Sequence, residues 1–284
     1  MTDVQGRTAF ITGGANGIGL GIARTFARAG AKLALVDLDT DALVRAKAEL
    51  QNITQVETYR LDVRDREAYA STAEAVERSL GPVSLLFNNA GVIVAESPAK
   101  LNYELWDFAI GINLHGVING VQTFLRRMVE RGQGGHIVNT ASGAGLAATT
   151  GSGVLYCTAK YAVVGMSEAL NVEVKSSGVG VSVLCPGPVA TNIMQRSHEV
   201  APKGAVQLSE EHEQRRAGLR EQINQALQRG TSIDAVGQMV LQAVQENQLY
   251  IYTDRFMEEP IKARTKALLD ALPGQVASAS AQKS

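Results

Sequence analysis

The sequence predicts one α/β domain built on a doubly wound parallel sheet of about seven strands, with helices on both faces. Short apolar runs alternate along the chain with longer runs in which apolar residues recur every three or four positions. This alternation is typical of strands and helices that follow one another in βαβ units. Most of the strand-like runs are short and apolar, which suits a sheet covered on both faces. With 284 residues and 45% hydrophobic content, the chain is long enough for one large core.

The elements follow from their periodicity and from the residues that end them. Gly81-Pro82 stops one helical run and Gly132 stops the next, because neither glycine nor proline continues a helix well. We expect strands at residues 8–11, 32–36, 56–61, 83–87, 136–139, 179–184 and 249–253. We expect helices at residues 18–28, 41–50, 64–79, 101–131, 156–175, 233–245 and 254–272.

Composition excludes several classes of partner. The net charge of −1 gives no electrostatic attraction to nucleic acid or to an anionic membrane. The two cysteines, Cys157 and Cys185, suit a reducing compartment. Residues 137–159 carry no charge, but they are rich in Gly, Ser, Thr and Asn, which is loop chemistry and not a membrane span. Because the first residues also lack an apolar signal-peptide core, we expect a cytoplasmic protein without nucleic-acid or membrane partners.

A glycine-rich turn, Thr12–Gly19, lies between the first strand and the first helix. Glycines permit a tight turn and a close approach of the backbone to a ligand. The N-terminus of the following helix presents free N–H groups and the positive end of its dipole. The turn is therefore a candidate phosphate site, although such turns also simply connect elements.

Asp37 ends the second strand, 18 residues after Gly19. An acidic residue at this distance is placed to accept hydrogen bonds from a ribose diol, as in Rossmann-like domains. The alternative is a helix N-cap, for which Asp39 and Asp41 are better placed. Asp37 would repel a 2′-phosphate, and no Arg or Lys that could receive one occurs at Ala15, Asn16 or Leu38. The sequence therefore favours NAD over NADP.

Tyr156 and Lys160 are four residues apart, so a helix places them on one face. A lysine ammonium favours the phenolate, but half-ionisation near pH 7 requires the tyrosine pKa to fall by about 3 units. One lysine supplies part of that shift, and a second positive charge nearby would supply more. The pair is a candidate general acid and base, although Tyr–Lys pairs at this spacing are also common on helices.

Several further motifs occur in a fixed order along the chain, and each is weak alone. Together the motifs resemble those of the short-chain dehydrogenase/reductase family over residues 6–252. The resemblance implies an oxidoreductase that transfers a hydride between NAD(H) and a secondary alcohol or ketone. The motifs are TGGANGIG (Thr12–Gly19), Asp62-Val63, NNAG (Asn88–Gly91), Asn113, Ser142, YCTAK (Tyr156–Lys160) and PGPVAT (Pro186–Thr191).

The resemblance also implies residue roles. The implied catalytic residues are Asn113, Ser142, Tyr156 and Lys160. The implied cofactor-binding residues are Gly13, Asn16, Gly17, Ile18, Gly19, Asp37, Asp62, Val63, Asn89, Ala90, Gly91, Tyr156, Lys160, Pro186, Val189 and Thr191. The implied substrate-binding residues are Ser142, Ser152, Tyr156 and Met194.

In the implied mechanism, Tyr156 takes the proton of the substrate alcohol while the hydride leaves for the nicotinamide. Lys160 binds the nicotinamide ribose and lowers the tyrosine pKa, with the positive nicotinamide ring as the second charge. Ser142 stabilises the developing alkoxide, and Asn113 orders a water in a proton relay. Ser142 and Tyr156 are 14 residues apart, one more than is common in the family, so Ser152 stays a candidate for the serine.

We expect residues 1–272 to form a single dinucleotide-binding and catalytic domain. Within it, residues 192–232 are a predicted substrate lid and residues 254–272 a helical extension. The tail at 273–284 is predicted to be disordered. The apolar residues of the lid, Leu219, Ile223 and Leu227, either pack or cover the substrate, and the charge run before them suits a solvated helix face.

The remaining expectations concern substrate, assembly and alternatives. Apolar residues at the expected pocket walls favour an apolar or aromatic substrate; they are Val92, Ile93, Val94, Leu146, Ala147 and Met194. No His, Cys or acidic residues occur at metal-ligand spacing, so we predict no metal. The resemblance implies a homodimer or homotetramer. The alternatives are a catalytically silent NAD-sensing protein and an enzyme of the same fold that performs dehydration or epimerisation.

Overall fold

The computed structural model describes residues 2–94, 96–149, 153–202 and 210–273, and in them seven strands form one sheet. All neighbouring strands are parallel, in the spatial order β3-β2-β1-β4-β5-β6-β7. The winding reverses between β1 and β4, which lie side by side, and an open crevice forms at such a reversal. The strands are β1 (Thr8–Thr12), β2 (Lys32–Asp37), β3 (Val56–Arg60), β4 (Val83–Asn88), β5 (Gly135–Thr140), β6 (Val179–Cys185) and β7 (Tyr250–Tyr252).

The described helices cover both faces of this sheet. They are α1 (Gly17–Arg28), α2 (Thr40–Leu50), α3 (Arg66–Leu80), α4 (Tyr103–Ile110), α5 (Gly116–Arg131), α6 (Val154–Glu173), α7 (Ile193–Val200), α8 (Glu210–Leu227), α9 (Ile233–Glu246) and α10 (Glu258–Asp270). None of these helices, within the residues described, combines the length and apolar character needed to cross a membrane.

Successive residues of β1 point to opposite faces of the sheet, as the strand period requires. Ile11 joins the core beneath α1 and α9, where Phe26 packs edge-on against Phe87 with ring centroids 4.7 Å apart. Phe10 joins the core beneath α3 and α5, with its ring 4.9 Å from that of Phe124. Both residues are fully buried. The prediction of a doubly covered parallel sheet is confirmed.

Most predicted elements agree with the structure to within two residues at each end. Asp39 caps α2, with its Oδ1 accepting the Ala42 N–H at 2.9 Å, as the sequence predicted. The extension helix begins later than predicted, at Glu258. Asp254 accepts hydrogen bonds from the Phe256 N–H and the Thr253 hydroxyl, at 2.8 and 2.9 Å, which forms a turn before the helix.

The helix predicted over 101–131 runs without a break from 103 to 131, but it is not α-helical throughout. A π-helical turn, Gly111–His115, separates α4 from α5. The Asn113 side chain donates to the Ala109 carbonyl at 3.0 Å, and Gly116 lies so close to Val63 that an added Cβ would stand 2.7 Å from its Cγ2. Such a turn shifts the apolar period by about one residue, which is too small a change for periodicity alone to reveal.

The lid and the extension contrast with this core. In α10 no residue is buried, and Leu268 and Leu269 are more than half exposed. The predicted tail at 273–284 lies outside the described residues from position 274 onward, as does Ser152.

Candidate active site

A cleft of about 1090 Å³ opens at the carboxyl ends of β1, β2, β4, β5 and β6, beneath α7 and α8. It brings together residues that are scattered along the chain, as the family resemblance implied. The predicted site residues that line it are Gly13, Asn16, Gly17, Ile18, Asp37, Asp62, Val63, Asn89, Ala90, Gly91, Asn113, Ser142, Tyr156, Lys160, Pro186, Val189 and Thr191.

Two predicted site residues do not line the cleft. Gly19 is buried beneath the glycine-rich turn, where an added Cβ would stand 2.1 Å from the Gly13 carbonyl oxygen. Its role is to let α1 pack against the turn, because any side chain would collide with backbone. Met194 is half-buried on α7 and lies outside the lining.

The glycine-rich turn presents unsatisfied donors to the cleft. Gly13 and Gly17 both have positive φ angles, +62° and +49°, which favour glycine. Asn16 precedes α1 without capping it, and its Nδ2 is buried with no hydrogen-bond partner among the described residues. A buried donor at a helix N-terminus is a position that an anionic group would satisfy. The turn therefore fits a dinucleotide pyrophosphate.

Asp37 stands at the end of β2 and faces the same cleft. Its two oxygens accept the Ala15 and Asp39 N–H groups at 3.3 and 3.2 Å. Burial raises the pKa of Asp37, while these backbone hydrogen bonds and the charge of Arg196 act in the opposite direction. Each carboxylate oxygen keeps a further lone pair, so the side chain fits a ribose diol.

Asp62 lies beyond β3 and is held by Arg64, whose Nη2 is 2.6 Å from its Oδ2. Burial opposes ionisation of Asp62, but the hydrogen bonds and charge of Arg64 outweigh it, so its pKa lies below the ordinary value. The carboxylate is thus ionised and largely occupied by its own neighbour. What Asp62 offers to a ligand is its position at the cleft wall.

Asn89 joins the ends of β1 and β4. Its Nδ2 donates to the Thr12 and Gly13 carbonyls at 3.1 and 3.3 Å. Thr12 Oγ1 accepts the N–H groups of Asn89 and Ala90 at 3.0 and 3.1 Å. These bonds fix the shape of the glycine-rich turn, so Asn89 shapes the floor of the cleft from beneath.

Asn113 is fully buried at the π-helical turn. Its Nδ2 donates to the Val92 and Ala109 carbonyls at 2.9 and 3.0 Å, and its Oδ1 accepts the Val92 N–H at 3.1 Å. Both amide protons are therefore committed to the backbone, and spare capacity is left on Oδ1 alone. The side chain fixes the loop after β4 against the helix, a role that the sequence did not suggest.

Lys160 lies at the base of the cleft with 3% of its surface exposed. Its Nζ donates to the Thr140 carbonyl at 2.9 Å and is 5.6 Å from the centre of the Tyr156 ring. Burial lowers the pKa of Lys160 to about 8, which leaves the ammonium form dominant at neutral pH. The remaining ammonium protons are available to a ligand.

Tyr156 and Ser142 meet at the same point of the cleft. Burial raises the pKa of Tyr156, and its hydrogen bond with Ser142 acts in the opposite direction. Ser142 also accepts the Ala144 N–H at 3.2 Å, and the next residue, Gly143, donates its N–H to the Pro186 carbonyl at 2.9 Å. In the protein alone, burial therefore favours the neutral phenol of Tyr156.

The sequence predicted a lid over residues 192–232, with Leu227 among its apolar residues, but it gave no sign of the polar residues by which this region joins the cleft. Arg196 on α7 pairs with Asp39, with Nη1 2.7 Å from Oδ2, although 157 positions separate them. Asn224 and Leu227 on α8 also line the cleft, and the Asn224 Oδ1 is buried without a hydrogen-bond partner in the described structure. No local pattern signals such long-range neighbours.

A parallel sheet with a glycine-rich dinucleotide turn and a Ser–Tyr–Lys cluster defines a nicotinamide-dependent oxidoreductase. Residues 7–201 match the family model described as "short chain dehydrogenase". The chain belongs to the short-chain dehydrogenase/reductase family, as its motifs predicted.

Three similar proteins illustrate the relationship. A C alpha-dehydrogenase of a Sphingobium species is 35% identical over 96% of this chain and 88% of its own length. A 3beta-hydroxysteroid dehydrogenase 2 of Eggerthella lenta is 35% identical over 67% of this chain and 74% of its own length. A solved short-chain dehydrogenase/reductase of Burkholderia phymatum in complex with NAD is 31% identical, with a TM-score of 0.87 over 96% of this chain and 98% of its own.

No cluster of three or more His, Cys, Asp or Glu side chains that could hold a metal ion occurs among the residues described.

Proposed function

We propose that this protein transfers a hydride between NAD(H) and an apolar or aromatic secondary alcohol or ketone, with Tyr156 as the general acid and base. The observation that carries the proposal is the convergence of Ser142, Tyr156 and Lys160 in the cleft that also contains Asp37 and the glycine-rich turn. A proton-transfer group, its hydrogen-bond partner, a buried cation and a dinucleotide site thus share one cavity.

We assign each part of the cofactor to groups of this chain that could bind it. The N-terminus of α1 and the unpartnered Asn16 amide would receive the pyrophosphate, and Asp37 would bind the adenosine ribose. Lys160 would bind the nicotinamide ribose with ammonium protons that Thr140 leaves free. Bound NAD+ supplies the hydride acceptor and a positive ring.

Tyr156 then has a defined proton-transfer step. The hydroxyl proton of the alcohol passes to the Tyr156 oxygen, and in the reverse direction the phenol returns a proton to the ketone oxygen. Ser142 donates to the same substrate oxygen as negative charge develops on it, a contribution of roughly 3 kcal/mol for oxyanion-type donors. The buried Lys160 ammonium, 5.6 Å from the tyrosine ring, favours the charged phenolate.

The apolar character of the cleft supports the substrate class. Val92, Ile93, Ile193 and Val200 line it. Four of the residues predicted to form the pocket walls do not line the cleft: Val94, Leu146, Ala147 and Met194. The Eggerthella lenta relative is named for a hydroxysteroid, which is an apolar secondary alcohol.

We also propose a cytoplasmic homodimer or homotetramer formed by pairing of α5 and α6. Exposed apolar side chains on these helices, Val129 at 40% and Val172 at 71%, support such a contact. Light scattering after size-exclusion chromatography measures the mass directly, and a monomer at micromolar concentration would contradict this proposal.

The test is NADH absorbance with a panel of secondary alcohols, comparing wild type with Tyr156→Phe. Loss of the proton-transfer group should lower kcat by at least about a hundredfold, the lower end of general acid–base contributions, while NADH binding is retained. A variant as fast as wild type would refute the role of Tyr156. Wild-type protein that binds NADH but turns over none of the panel would favour the alternative, a silent NAD-sensing protein.

Asp37→Ala tests the choice of cofactor. Because the Asp37 carboxylate repels a 2′-phosphate, its removal should narrow the preference for NAD over NADP by about tenfold in kcat/KM, equivalent to about 1.4 kcal/mol. Asp41→Ala, on the exposed side of α2, is the matched control. A wild type that already prefers NADP would overturn the assignment.

A further inference from the structure

The helix α7 crosses the mouth of the cleft, and it is anchored on both sides. On one side Ser197, which is 4% exposed, accepts the Ile93 N–H at 2.9 Å on the loop after β4. On the other side Arg196 pairs with Asp39 on the loop after β2, with Nη1 2.7 Å from Oδ2. In the sheet, β1 lies between β2 and β4. The helix therefore spans the glycine-rich turn that follows β1.

The two anchors differ in kind. The Ser197 hydroxyl is buried, and it also donates to the Ile193 carbonyl at 2.6 Å within α7. The Arg196–Asp39 pair is partly exposed, with 39% and 31% of the side chains accessible. Water and salt weaken an exposed ion pair far more than a buried hydrogen bond. The ion pair is consequently the anchor that can open.

Asp39 serves two partners with its two oxygens. Its Oδ1 accepts the Ala42 N–H and caps α2, whereas its Oδ2 binds Arg196. Asparagine is as good an N-cap as aspartate, so Asp39→Asn keeps the cap and removes the charge. The contact between Asp39 and Arg196 on α7 can therefore be broken without disturbing α2.

We propose that Arg196 is a positioning residue for the dinucleotide. Paired with Asp39, it holds α7 across the cofactor cleft, and it thereby limits the rate at which NADH leaves. The inference rests on the proposed function, because it assumes that NAD(H) occupies this cleft. It assigns Arg196 to the exchange of cofactor and not to the transfer of the proton.

The experiment measures NADH release by stopped-flow fluorescence for wild type, Arg196→Gln, Asp39→Asn and the double variant. Each single variant should release NADH about two- to fivefold faster, the range for partly exposed ion pairs. The double variant should be no faster than the singles, because both remove the same interaction. Arg196→Lys should restore slow release in part, and added salt should speed release from wild type more than from the variants.

Arg24→Gln is the matched control. It removes two partly exposed ion pairs, with Glu49 at 2.6 Å and with Asp234 at 3.4 Å, and none of these three residues lines the cleft. NADH release from this variant should equal that of wild type. An equal acceleration in Arg24→Gln would show a general loss of stability and would overturn the proposal.

Amide exchange on the cofactor-free protein gives an independent readout. Exchange over residues 193–200 should be faster in Arg196→Gln and in Asp39→Asn than in wild type. Faster NADH release with Arg196→Gln but not with Asp39→Asn would mean that Arg196 acts on the cofactor directly, which refutes the pairing. If wild type does not bind NADH, the proposed function fails, whereas unchanged exchange in both variants refutes the anchor by itself.

Discussion

The floor of the cleft and its lid are built in different ways. In the floor, the side chains of Asn89, Asn113 and Lys160 bind backbone carbonyls at 2.9–3.3 Å and fix the strand ends. In the lid region and extension, α10 and the described side chains of α8, at 217–218 and 221–227, are mainly exposed. A rigid floor suits chemistry that depends on fixed distances, whereas a loosely held cover suits ligand exchange. The residues that fix distances in the site thus lie in a different part of the molecule from those that cover it.

A glycine-to-alanine substitution in each region gives the sharpest test of this difference. Gly19→Ala places a Cβ against the Gly13 carbonyl, and we expect a loss of at least about 3 kcal/mol in the free energy of unfolding. Gly218→Ala on α8 meets no atom within 4 Å, and alanine should favour that helix by about 0.5–1 kcal/mol. Denaturant unfolding measures both. Equal effects would refute the difference between floor and lid.

A buried histidine near the amino end of β5, away from the cleft, predicts a pH dependence. His136 is fully buried, with Nε2 2.8 Å from the Ser182 hydroxyl, and burial lowers its pKa from 6.5 to about 4. Between these values the unfolded chain binds a proton that the folded chain excludes, so stability falls as the pH falls from 6.5 towards 4. The loss approaches roughly 3 kcal/mol at about 1.36 kcal/mol per pKa unit.

Unfolding measured across this pH range checks that expectation. His136→Gln should flatten the decline, whatever its effect on stability at neutral pH. His198→Gln, on an exposed position of α7, is the control and should keep the wild-type slope. A decline of equal steepness in both variants would assign the acid sensitivity to other groups.

The smallest effect is expected at the extension. Because α10 buries no side chain, a chain that ends at Met257 should change the free energy of unfolding by less than about 0.5 kcal/mol. NADH affinity should also stay the same. A large loss of stability, or a smaller assembly in solution, would mean that α10 contacts a second copy of the chain.

Sequence reasoning was strongest where residues follow strand ends. The parallel arrangement brings all carboxyl ends of the strands to one edge, so Asp37, Asn89 and Ser142 meet although they lie far apart in the chain. Asp37 could be assigned from its place at the end of a strand, whereas Asn89 and Ser142 were assigned through the family motifs. The family motifs added roles that periodicity could not supply.

Sequence reasoning failed where the structure departs from regular helical periodicity and where residues of distant elements come into contact. The π-helical turn at Asn113 shifts the apolar period by only about one residue, so the sequence looks like that of an uninterrupted α-helix. Gly19 belongs to the glycine-rich motif, but it packs beneath the turn and does not line the cleft. A sequence shows that a side chain is excluded at this position, but it does not show whether a ligand or the protein's own backbone excludes it. The Arg196–Asp39 pair joins residues 157 positions apart, and a single sequence has no signal for it.

The strand order has a consequence for how the chain folds. Strands β1 to β3 and their helices come from the first part of the chain, whereas β4 to β7 come from the rest. The cofactor cleft lies where these two blocks meet, and no contact within either block completes it. Pairing of β1 with β4 joins the strand partners that are most distant in the chain, so we expect it to form late, because contacts between distant segments form slowly. Nucleotide binding during refolding would therefore report the final joining of the two blocks and not their separate formation.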